Sequence, residues 1–143
     1  MSSRGSIQAR FPLFQIKVDQ PNALVEITLK GAIRADEMQQ FVEQCMEEAR
    51  VLAAQGRPVR ILADLRQLRT TSPEAAELLR QAQESAVKMG LKRIAELVGS
   101  ELTALQLNRI ARSSGMESVL RRFETEEEAR RWLRETNDTL DAA

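Results

Sequence analysis

A chain of 143 residues, 43% of them hydrophobic, is long enough to bury one core and too apolar to be disordered over most of its length. Lys plus Arg balance Asp plus Glu at 21 each, which speaks against a protein given over to non-specific nucleic-acid binding. There is no His, no Tyr and a single cysteine, Cys45; these absences remove the commonest general base near neutral pH, an internal disulfide, and histidine or cysteine-cluster metal chemistry.

The opening MSSRGSIQAR has no apolar core of the signal-peptide kind, and no apolar run approaches the roughly 20 residues of a membrane helix. The expectation is a cytoplasmic chain that does not insert into membranes. Residues 1–10 are expected to be disordered or extended, 11–136 to form one domain, and 137–143 to fray.

From Phe11 to Val18 apolar residues alternate loosely, with Pro12 suiting a sheet edge. Asp19-Gln20-Pro21-Asn22 reads as a turn, and Leu24 to Lys30 alternates cleanly, so the two runs predict a hairpin. A long helix follows from about Asp36 to Gln55. Asp36 and Gln39 resemble a capping box, and Met38, Phe41, Val42, Cys45, Ala49 and Leu52 form one apolar stripe. Cys45 on that stripe is read as core filler rather than as a nucleophile.

Val59 to Leu65 is nearly continuous in apolar character, as a covered central strand requires, and Asp64 interrupts it where a loop begins. Ser72, Pro73 and Glu74 give an N-cap, a first-turn proline and a first-turn acid, opening a helix to about Met89. Leu91 to Val98 is the next strand. Ser100 caps a third helix to about Ser114, whose apolar residues are Leu102, Leu105, Leu107, Ile110 and Ala111. Ser118 to Phe123 reads as an arginine-bearing edge strand, and Thr125 with Glu128 opens a last helix docked through Ala129, Trp132 and Leu133.

The order β-β-α-β-α-β-α-β-α predicts an α/β domain with a mixed sheet of about five strands and helices mainly on one face. Strand parity suggests that Glu26, Thr28, Arg60, Asp64 and Glu96 share the second, partly covered face, where Glu26, Arg60 and Glu96 compensate one another. Helices are expected over the face of Val25, Ile27, Leu29, Val59, Ile61 and Ala63.

The segments VEITLKGAI, RPVRILADLRQL, GLKRIAELVGS and RRFETEEEARRWL, in that order, resemble the STAS fold, and most closely its SpoIIAA-like (STAS/SEC14-like) branch. The resemblance spans roughly residues 14 to 134. It implies a non-enzymatic regulatory or interaction module, anti-sigma-factor-antagonist-like, whose partner is another protein such as a kinase or an anti-sigma factor, with a homodimer as a further association. It implies no cofactor. The SEC14-like side implies the alternative of a small-molecule or lipid carrier. Antagonist members carry an Asp-Ser-Ser/Thr-Gly pattern whose serine is phosphorylated at a helix start. In register, Ser72 falls on the Asp, Pro73 on that serine and Ala75 on the Gly, so the motif is absent; a shift of a residue or so would let Thr70, Thr71 or Ser72 replace it, with Thr71 and Ser72 the phosphosite candidates.

Strand-to-helix crossings of open α/β sheets gather recognition and chemistry. The candidate partner-binding residues are therefore Asp64, Arg66, Arg69, Thr70, Thr71 and Ser72. Arg57 and Arg60 extend this arginine series, which suits a phosphate or an acidic partner. Arg109, Arg112, Arg121 and Arg122 form a second basic cluster read as surface. No catalytic, cofactor or metal residues are assigned; an enzyme would have to rely on Asp64, Glu96 and the arginines.

Overall fold

The computed structural model describes residues 13–135. The expectations for residues 1–10, Pro12 and 137–143 lie outside them. Strands β1 (Phe14–Asp19) and β2 (Leu24–Gly31) form an antiparallel hairpin, with Ile16 opposite Ile27 and Val18 opposite Val25. The hairpin turn is one 3-10 turn, Gln20–Asn22, whose Gln20 and Pro21 carbonyls accept hydrogen bonds from the Arg57 guanidinium. Then follow α1 (Ala35–Ala54), β3 (Arg60–Leu68), α2 (Pro73–Lys88), β4 (Arg93–Val98), α3 (Glu101–Ser114), β5 (Leu120–Phe123) and α4 (Glu126–Arg134). The sheet order is β1-β2-β3-β4-β5, parallel from β2 onward. This is the mixed five-stranded α/β sheet expected.

Each crossover moves one strand further in the same direction. Right-handed connections then deliver α1, α2 and α3 to one face, because the strand order never reverses. Their apolar stripes seal Val25, Ile27, Leu29, Ile61 and Ala63. Among the described residues only α4, after the last strand, covers the other face, where Ala129 and Leu133 pack on Leu24, Leu62, Ala95 and Leu97. Trp132 anchors that helix as expected, its ring 5.5 Å from Phe123.

Ser72, Ser100 and Thr125 each accept the backbone N–H three residues on, as their positions predict. The α1 cap does not follow the prediction. The N-cap is Arg34, and Glu37, not Gln39, closes the box by accepting the Arg34 N–H at 2.9 Å. Asp36 sits inside the first turn, paired to the Arg34 side chain. Strand β3 runs three residues past its expected end at Leu65, since β2 keeps pairing with it beyond an irregularity between Thr28 and Lys30 (Lys30 beside Gln67, Gly31 beside Leu68).

Parity holds for Glu26, Thr28, Arg60 and Asp64 but fails for Glu96. Glu26 lies beside Leu62 and Thr28 beside Asp64, whereas Glu96 lies beside Ala63, on the three-helix face. Glu96 is 2% exposed there, and its carboxylate accepts a 2.8 Å hydrogen bond from Arg122. Arg122 is correspondingly half-buried rather than surface, and its guanidinium also donates to Asn108 of α3. Glu26 finds its counter-charge in Arg130 of α4, not in Arg60. On α3, Leu102 and Leu105 point outward instead of joining the core.

Candidate functional site

The carboxyl end of β3 hands over to α2 through Arg69–Ser72. Asp64 lies on the α4 face and accepts a forked pair of hydrogen bonds from Arg66, Nε at 2.9 Å and Nη2 at 2.8 Å, besides the Arg66 backbone N–H at 3.2 Å. The Arg66 fork holds the Asp64 carboxyl below the usual carboxylate range. Arg66 also comes within 3.8 Å of Glu126 at the start of α4. Asp64 is thus a positioning group for Arg66, with its oxygens occupied.

The loop itself is exposed yet pinned at both sides. The Arg69 backbone N–H donates to the Gly31 carbonyl at 3.0 Å, tying the loop to the end of β2. From α3, the Gln106 side-chain amide accepts the Thr71 N–H at 2.9 Å and donates to the Thr71 carbonyl at 3.0 Å. Thr103 donates its hydroxyl to the Leu68 carbonyl at 3.0 Å. Ser72 is exposed, and its hydroxyl oxygen accepts the Ala75 N–H at 3.2 Å. Beside β3, the β4–α3 junction passes so close that a Cβ on Gly99 would stand 2.2 Å from the Arg66 carbonyl oxygen.

Asp64, Arg66, Arg69, Thr70, Thr71 and Ser72 therefore gather at one end of the sheet. Arg69 and Thr70 are exposed, and Arg69 has no ion pair among the described residues. Arg57 and Arg60 lie at the opposite end of β3, by the hairpin turn and the C-terminal turn of α4, and are no part of this surface. Residues not singled out from sequence hold this end of the sheet in place: Gly99 and Thr103 against β3, and Gln106 against the loop. Two polar residues at three-residue spacing, Thr103 and Gln106, on the flank of an otherwise apolar stripe were the available signal.

The SpoIIAA-like family model matches residues 24–134.

This chain belongs to the SpoIIAA-like family.

Among solved structures it is similar to an uncharacterised protein of the DUF3478 family with a SpoIIAA-like fold from Shewanella loihica PV-4. The two share 19% identity, covering 84% of this chain and 93% of that one, with a TM-score of 0.59. No curated protein matches.

Within this SpoIIAA-like domain Asp64 and Glu96 lie on opposite faces of the sheet and cannot act on one substrate. No group of three residues able to hold a metal ion occurs among those described, and no described helix is long and apolar enough to cross a membrane. Between the sheet and helices α1 and α2 lies an apolar void of about 60 Å³, walled by Phe41, Cys45, Ile61, Leu79, Ala86 and Glu96. A second void of about 40 Å³ adjoins it, sharing Cys45, Met46, Ile61 and Ala86. Binding pockets for organic ligands usually measure roughly 300–1,000 Å³. Burial pushes the Cys45 thiol up to about 12, so it fills the seam as a neutral, unreactive group.

Proposed function

We propose that this protein is a non-enzymatic, cytoplasmic interaction module that binds an acidic surface of another protein through the β3–α2 handover. The observation that carries the reading is the exposed Arg69–Ser72 loop, held rigid from β2 and α3 and presenting an arginine without an ion pair among the described residues. A pre-ordered loop avoids much of the entropy of ordering on binding. Arginine suits carboxylate-rich partners. The partner would be a regulator of the kinase or anti-sigma-factor kind, as SpoIIAA-like membership suggests.

Phosphorylation would act on Ser72 rather than Thr71. Ser72 is the more exposed, at the start of a 16-residue helix whose free N–H groups favour added negative charge. Phosphate there would repel an acidic partner, giving an off-switch without the family's full serine motif.

The carrier alternative would draw on the apolar seam between α1 and α2, whose two small voids would have to open severalfold to take a lipid chain.

A photoreactive residue placed at Thr70 and irradiated in extract of the native host tests the reading. A discrete protein adduct at position 70, absent when the same residue replaces Arg134, is the expected result. Equal labelling at both positions, or none at 70, would overturn it.

A further inference from the structure

Helix α3 buries Thr103, Leu107, Ile110, Ala111 and Ser114 and turns a second stripe outward. That stripe reads, in order, Glu101, Leu102, Leu105, Arg109 and Arg112, all exposed. Leu102 at 66% and Leu105 at 56% are the most exposed large apolar residues among those described. The helix dipole accounts for an acid at the first turn and a base at the last. It gives no reason for two leucines in solvent between them.

We propose that α3 is a self-association surface on which two copies of the chain pack antiparallel about a twofold axis at Leu105. Glu101, Leu105 and Arg109 are spaced by four residues and so lie along one line of the helix. An axis centred on Leu105 sets Leu105 against its own copy. It sets each Glu101 against the other copy's Arg109, because both stand four residues from the centre. Charge order selects this register. Parallel packing would place Arg109 against Arg109, and so would an antiparallel pair centred one turn later. Neither Glu101 nor Arg109 has an ion pair within its own chain among the described residues, so both are available to a second copy. A closed twofold contact of this kind is isologous, each patch meeting itself. One helix face buries far less than the roughly 800 Å² per partner of a standard interface, so the pair is weak and concentration-dependent. The proposal stands independently of the Arg69–Ser72 loop, which flanks α3 on the Gln106 side.

Sedimentation equilibrium of the full chain over a concentration series tests it. The mean mass is expected to climb from monomer toward dimer for the wild type and to stay monomeric for Leu105→Glu. That exposed substitution should leave the circular dichroism spectrum unchanged. Glu101→Arg and Arg109→Glu should each weaken the dimer severalfold, and the double variant should restore it, since both contacts are then reversed together. Leu105→Cys should give a disulfide-linked dimer on mild oxidation, and Ser113→Cys should not. A wild type that stays monomeric throughout, a dimer that survives Leu105→Glu, or a charge reversal that fails to restore association would overturn the proposal.

Discussion

Glu96 and Arg122 occupy neighbouring positions on β4 and β5 and meet at 2.8 Å under the three-helix face, where Glu96 is 2% exposed. Burial raises the Glu96 carboxyl above its ordinary value; the Arg122 hydrogen bond and charge oppose that rise. A buried pair of this kind adds little net stability, but removing one partner strands the other.

Arg122→Met should therefore cost about 3–5 kcal/mol at neutral pH. The folded-state value of Glu96 lies above its unfolded value, so the stability its protonation confers is complete below the unfolded value and is lost as pH rises through the folded one. Without Arg122 the folded value climbs further. The deficit of Arg122→Met should then shrink on acidification from about pH 7 to about pH 5, while the double variant with Glu96→Gln should show no such slope. Urea unfolding at the two pH values checks this; an equal deficit at both would contradict it.

Gly99→Ala should destabilise by about 2–3 kcal/mol, since the new methyl meets backbone rather than a side chain that can turn away. Asp64→Asn, which breaks a pair exposed by a third to a half, should cost under about 1 kcal/mol. The contrast is read from urea midpoints.

Ser72→Ala should lose about 1 kcal/mol by removing the α2 cap, whereas Ser72→Asp keeps a capping oxygen and should match the wild type in stability. If Ser72 also belongs to the binding surface, Ser72→Asp should weaken partner capture with its stability intact. Unfolding curves beside capture assays separate the two roles.

Cys45 should resist a soluble disulfide reagent in the folded protein near pH 8 and react fully once the chain is unfolded in denaturant, because its thiol is buried and titrates at about 12. Absorbance of the released thiolate measures it.

The fold was largely legible because its markers are local. Ser72, Ser100 and Thr125 announce their helices by residue type alone, and the hairpin follows from Val25, Ile27 and Leu29 against a four-residue turn. What was not legible depends on pairing between strands. β4 is buried on both faces, so Ile94, Glu96 and Val98 look no more outward than Arg93, Ala95 and Leu97. Only the register that sets Ala63 beside Glu96 assigns the face. Arg122, two residues from Leu120 and so on the same face of the next strand, was the one hint that Glu96 had a buried counter-charge. The α1 cap was missed because Arg34 is not a capping residue type; its box is closed by Glu37 alone. For the candidate site, sequence placed the loop but not its clamps, since Gln106 is 35 residues from Thr71.

The most direct measurement is quantitative capture from native-host extract on the wild-type chain and on Arg69→Glu and Arg134→Glu. The two reversals change net charge equally at opposite ends of the molecule, so a surface at the β3–α2 handover predicts that Arg69→Glu loses most of the captured protein and Arg134→Glu keeps it. Capture undiminished by Arg69→Glu, or reduced as much by Arg134→Glu, would contradict the account.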